Sequence, residues 1–146
     1  MGASTVMMAM ELIECDNVIG VVADCGFSSP RDIIKSVIKR KNLPSGPLYG
    51  LSAFSAKVFG RFDINSASAV ESVSRSNIPI LIIHGASDTF VPCDMAYMLH
   101  SSAKNPAGLL IVEEAEHGVS FYRDTEAYID ALNAFVCKIT SDSIGE

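Results

Sequence analysis

The sequence predicts an α/β fold with a short parallel sheet, and three observations carry that prediction. Short apolar runs rich in β-branched residues recur three times, around residues 18–23, 78–83 and 108–112. Each run ends abruptly in polar residues or glycine: Asp24-Cys25-Gly26, His84-Gly85 and Glu113-Glu114. Each is then followed by apolar residues at helical spacing. Runs that are apolar on both faces suit strands covered by helices on either side. Three alternations of strand and helix imply crossover connections and therefore parallel pairing.

Composition narrows the setting. The chain has 146 residues, 49% of them hydrophobic and 19% charged, which suits one globular domain with a modest core. A net charge of −6 argues against a nucleic-acid partner, which would require a basic stripe. No apolar run approaches the roughly 20 residues of a membrane span. No basic segment precedes an apolar run at the N-terminus, so no signal peptide is expected. Cys15, Cys25, Cys93 and Cys137 are scattered and form no C-x-x-C pair. They read as free thiols in a reducing compartment, with no zinc motif and a cytoplasmic location expected.

Taken in order, Val6, Met10 and Ile13 fall at helical spacing, so the chain opens on a helix. The strand at 18–23 comes next. Ser29-Pro30-Arg31-Asp32 then reads as a helix start: a capping serine, proline at the first position and an early acid. Ile33, Ile34, Val37 and Ile38 supply that helix's apolar face, and Lys39-Arg40-Lys41 suits its C-terminal dipole. Residues 42–47 read as a turn-rich break. Leu51, Phe54, Val58, Phe59 and Phe62 then fall at near-helical spacing. Their rings are either core or the inner face of a cap. A short helix is expected near 66–73, ahead of the central strand.

After that strand, His84-Gly85 is expected to break it, and Pro92 to open a helix with Met95, Ala96, Met98 and Leu99 on its buried side. His100 reads as a residue satisfying that helix's C-terminal dipole. The last helix is expected over 120–138, capped by Ser120 and striped by Tyr128, Ile129, Leu132, Phe135, Val136 and Ile139. The polar tail from Thr140 is expected to fray.

Function is suggested by the residues that stand at the strand ends. Asp88 lies in the loop after the second strand and His117, with Gly118 behind it, in the loop after the third. Open parallel sheets keep their chemistry at the C-terminal ends of strands. A carboxylate can hold an imidazole in one tautomer and stabilise its charged form while the imidazole activates a nucleophile.

The pattern His84-Gly85-x-x-Asp88-x-x-Val91-Pro92, then a strand, then His117-Gly118, resembles the C-terminal half of the α/β-hydrolase superfamily. There the triad runs Ser, Asp, His along the chain. The resemblance implies Asp88 as triad acid and His117 as triad base. Met1-Gly2-Ala3-Ser4-Thr5 resembles the residues after the serine in the Gly-x-Ser-x-Gly elbow. It implies that Met1 supplies an oxyanion-hole N–H and that the serine falls one position before residue 1. Ser4, Ser87 and Ser120 each lack the second glycine of that elbow. The resemblance further implies one partial α/β-hydrolase domain over 1–146, with 42–76 as a cap segment. It implies a small ester or peptide substrate and no metal or organic cofactor.

Two other readings stand beside a serine hydrolase. One is a non-catalytic, truncated hydrolase-like module, favoured by the missing nucleophile. The other is a complete small doubly wound domain. It is disfavoured because no glycine-rich phosphate loop comes after any strand and three strands are few for such folds. In either hydrolase-like case the strand at 18–23 is expected to expose an unpaired edge through which copies of the chain associate.

Overall fold

The structure is a computed structural model and describes residues 1–13 and 17–144. Cys15 therefore lies outside the described residues. Strands β1 (Val21–Asp24), β2 (Ile80–Gly85) and β3 (Pro106–Val112) form one parallel sheet in the order β1-β2-β3. Helix α1 (Gly2–Ala9) and a 3₁₀ turn (Met10–Leu12) precede β1. Helices α2 (Pro30–Arg40), α3 (Ser45–Val58) and α4 (Ala69–Arg75) lie between β1 and β2. Helix α5 (Asp94–Ser102) links β2 to β3, and α6 (Ser120–Arg123) and α7 (Thr125–Ile144) come after β3.

The period-two alternation of strands divides the core. Val21, Ala23, Ile80 and Ile82 face Met7, Met10, Ala69, Val73, Ala96 and Leu99, so α1, α4 and α5 cover one side of the sheet. Leu81 and Ile83 face Phe135 and Ile139, so α7 covers the other. Strand β2 lies in the middle and is buried along its whole length, which is why its sequence shows no alternation. Burying each of its four aliphatic side chains contributes about 1.5–3 kcal/mol, so this strand anchors the fold.

Several expected boundaries move. Strand β1 spans 21–24 rather than 18–23, because pairing begins where Val21 N–H donates to Pro79 O. The exposed edge is therefore that of 21–24, and Val22 on it is 39% accessible. His84 and Gly85 do not break β2; they extend it, pairing with Ile111 and Val112. The break expected at 42–47 ends early, since α3 already begins at Ser45 behind Pro44.

Helix faces also differ in detail. Met7 and Met10, not Val6, carry the buried face at the N-terminus. Met98, Ile129 and Val136 face solvent. The expected last helix is two. Asp124 leaves the helical conformation between them, and its Oδ1 accepts the Ala127 N–H to start α7. Ser120 is not a cap: it is the first residue of α6, and its buried hydroxyl has no hydrogen-bond partner among the described residues. Helix α7 continues through the expected fraying point to Ile144. Ser29 does cap α2, accepting the Asp32 N–H at 3.1 Å, and Ser68 caps α4 in the same way.

Helix α3 packs on α2 and buries none of its residues. Phe54 is 63% and Phe59 81% exposed, so the aromatic residues of this segment are not core.

Candidate active site

Two loops at the C-terminal ends of β2 and β3 are tied together by backbone bonds. Ala86 N–H donates to Val112 O at 2.9 Å and Ser87 N–H to Ala115 O at 3.0 Å. Gly85 permits this approach, since a Cβ there would stand 2.3 Å from Ala115 O and 2.9 Å from Glu116 O. The join places the residues after Gly85 beside those just before His117.

Asp88 is held from three directions. Its backbone N–H donates to Gly85 O at 3.2 Å. Its Oδ1 accepts the N–H groups of Phe90 and Val91, each at 2.8 Å, which closes the turn leading to Pro92. Its Oδ2 accepts the Nδ1–H of His117 at 2.7 Å. The Asp88 side chain is fully buried, and that of His117 is 37% exposed. The carboxylate is therefore fixed while the imidazole reaches solvent.

His84 lies beneath this pair, fully buried. Its Nε2–H donates to Val91 O at 2.9 Å, and the same nitrogen is 3.4 Å from Asp88 Oδ2. It braces the turn that carries Asp88. Above, the His117 ring leans on Phe90 with centroids 5.1 Å apart, and the Arg40 guanidinium covers the Phe90 ring at 5.6 Å. Among the described residues His117 Nε2 has no hydrogen-bond partner, so it is free to take a proton from an incoming group.

The turn after β1 completes the floor. Cys25 is buried with a left-handed φ of 55°. Its Sγ accepts the Gly118 N–H at 3.3 Å, and Gly118 itself is left-handed at φ +72°. Burial pushes the Cys25 thiol up to about 11; the adjacent Asp24 adds to the rise and the Gly118 N–H opposes it. One donor atom from each of Cys25, Asp88 and His117 lies within 4.8 Å of both others. Helix α1 packs on this turn, since Ser4 Oγ accepts the Phe27 N–H at 2.8 Å and a Cβ on Gly26 would meet Met7 Cε.

The sequence candidates thus separate. Asp88 and His117 meet directly. Met1 stands at the N-terminal end of α1, exposed, with no hydrogen bond to either. Ser4 is bonded to the backbone of Phe27, and among the described residues the buried Ser120 hydroxyl has no partner and no serine hydroxyl bonds His117. Cys25 and Phe90 are site neighbours that sequence reasoning missed. The signal for Cys25 was its place at the end of a strand before Gly26. Beside the site, Ile33, Ile34, Val37 and Ile38 of α2 and Ser52 of α3 line an open apolar groove of about 320 Å³. Ile33 also packs against the cluster of Phe27, Val91 and Met95 next to the Asp88 turn.

No protein-family model matches the chain. An uncharacterized Bacillus subtilis (strain 168) protein, YqkD, is 25% identical over 137 residues, covering 93% of this chain and 45% of that protein. Among solved structures, an esterase of Pyrococcus furiosus superposes with a TM-score of 0.64 at 18% identity, covering 96% of this chain and 51% of the esterase. An α/β hydrolase from the metagenome of Mar Chica lagoon sediments gives 0.61 at 13% identity, covering 94% and 57%. Acylaminoacyl peptidase of Pyrococcus horikoshii gives 0.60 at 17% identity, covering 88% of this chain and 20% of the peptidase. The chain thus spans about half the length of the first relatives it matches. With its three-stranded parallel sheet and flanking helices, it carries the C-terminal portion of the α/β-hydrolase fold.

Proposed function

We propose that Asp88 and His117 are the acid and base of a hydrolase that cleaves carboxylic ester or amide bonds through a serine nucleophile. The observation that carries this reading is the 2.7 Å bond between His117 Nδ1 and a fully buried Asp88 carboxylate, with Nε2 left unpartnered among the described residues. In the proposed reaction His117 Nε2 takes the serine proton as the hydroxyl attacks the carbonyl carbon, then returns it to the leaving group. Asp88 holds the tautomer and stabilises the imidazolium. The Met1 N–H, at the N-terminal end of α1, is proposed as an oxyanion donor, where the helix dipole favours developing negative charge. The apolar groove between α2 and α3 is proposed to receive an acyl or leaving group, with residues 42–76 acting as a cap. The serine is proposed to come from chain outside residues 1–146.

The test uses a fluorophosphonate probe and p-nitrophenyl esters. It compares the 146-residue chain with the same chain extended by the in-frame coding sequence upstream of Met1. The expected result is labelling and ester turnover in the extended chain alone. An upstream sequence without a Gly-x-Ser, or an extended chain that neither labels nor turns over ester, overturns the reading in favour of a non-catalytic binding module. Ser4 and Ser120 favour that second reading for the 146-residue chain, since neither hydroxyl is placed to attack.

The open edge of β1 supports an association of copies. Among the described residues it has no strand partner on the side away from β2, and apolar Val22 lies exposed along it. The 146-residue chain is expected to dimerise or aggregate at high concentration in sizing with light scattering. A monodisperse monomer there would refute this.

A further inference from the structure

We propose that Cys25, Asp88 and His117 together bind a thiophilic divalent cation, Zn²⁺, and that its binding displaces the hydrogen bond between Asp88 and His117. The three residues come from three different strand ends, so no spacing in the sequence reveals them. The donor set is one sulfur, one imidazole nitrogen and one carboxylate oxygen, mutually within 4.8 Å. Zinc bound to such donors at about 2.0–2.3 Å places tetrahedral ligand atoms roughly 3.3–3.8 Å apart, so modest side-chain shifts complete the coordination.

Two features suit zinc over a harder ion. The thiol is a soft ligand that Mg²⁺ and Ca²⁺ do not seek. The supporting contacts also stand ready. The Gly118 N–H points at Cys25 Sγ, and the N–H groups of Phe90 and Val91 hold Asp88 Oδ1, leaving Oδ2 for the ion. The His117 side chain is 37% exposed, so solvent water can supply a fourth ligand. On binding, the thiol proton leaves to the buffer and the imidazole proton moves through solvent from His117 Nδ1 to Nε2, so that sulfur and Nδ1 each donate an electron pair to the ion. His117 then no longer serves as a base oriented by Asp88, so the cation acts as a reversible blocker of this site. The binding itself does not depend on the hydrolase reading.

The experiment titrates the 146-residue chain with Co²⁺ and tracks the thiolate-to-cobalt charge-transfer absorption, then displaces Co²⁺ with Zn²⁺. One Co²⁺ per chain with that absorption, lost on adding Zn²⁺ and unaffected by Mg²⁺, is expected. Cys25→Ser is expected to abolish the absorption. His117→Asn, on the exposed loop and away from the core, is expected to weaken Zn²⁺ binding about tenfold or more. Cys93→Ser and Cys137→Ser are expected to leave both unchanged. Absence of the absorption, its survival in Cys25→Ser, or its loss in Cys93→Ser or Cys137→Ser overturns the proposal.

Discussion

Gly85→Ala is expected to destabilise the protein by about 3 kcal/mol, lowering the melting temperature by roughly 6–12 °C. The added Cβ would stand 2.3 Å from Ala115 O and 2.8 Å from the Ala115 carbonyl carbon. These are backbone atoms, so no side chain can rotate away. The β3–α6 loop must move, and with it the Ser87–Ala115 bond and the placement of His117 on Asp88. Gly50→Ala is the control. Gly50 lies inside α3 with open space around it, so alanine there is expected to stabilise by about 0.5–1 kcal/mol. Thermal unfolding of the two variants beside the parent checks both signs. Equal melting temperatures for Gly85→Ala and the parent would mean that the loop approach is not a tight constraint.

Asp88→Asn is expected to separate orientation from stability. The amide keeps the shape of the carboxylate, and its oxygen can still accept the N–H groups of Phe90 and Val91. Its NH₂ then faces His117 Nδ1, where the carboxylate had accepted a hydrogen bond from the Nδ1–H. The ring is expected to switch from the Nδ1–H to the Nε2–H tautomer, which ¹⁵N spectra of the 146-residue chain report without any assay. In a chain that carries the nucleophile, the wrong tautomer is expected to lower kcat roughly 10⁴-fold, the effect of the same change in serine proteases. Asp88→Ala should instead lower stability, by about 3 kcal/mol, because two backbone donors and the imidazole lose a buried charged partner. An unchanged tautomer in Asp88→Asn would sink the orienting role given to Asp88.

Fold class was legible because it rests on local pattern. The all-apolar run of β2 needs no partner to be recognised, and the Ser29-Pro30-x-Asp32 start of α2 is satisfied within its own turn. Asp88 and His117 were legible for a related reason: each stands at the end of such a run, where parallel sheets place chemistry. Boundaries were less readable. Gly85 reads locally as a breaker, yet it pairs with Val112 because β3 supplies the missing neighbour. The aromatic spacing of α3 looks like a core face, yet Phe54 and Phe59 are exposed because that helix packs on α2 and no other layer of described residues covers it. Asp124 was invisible as a cap because Ser120 offered an equally good hydroxyl four residues earlier. Burial of Ser120, decided by packing, removed that choice.

Local chemistry therefore specifies which segments become strands and helices, that the sheet is parallel, and that an acid and a histidine stand at neighbouring strand ends. Those properties arise from the spacing of apolar residues and from turn and cap chemistry, which act over a few residues. Packing of the whole chain was needed to bring Asp88 against His117, to set His84 as a brace under the Asp88 turn, and to close the site from beneath with Cys25. Those contacts join residues 29, 7 and 93 positions apart. Their distances are set by strand register and by the single missing Cβ at Gly85, which no local pattern encodes.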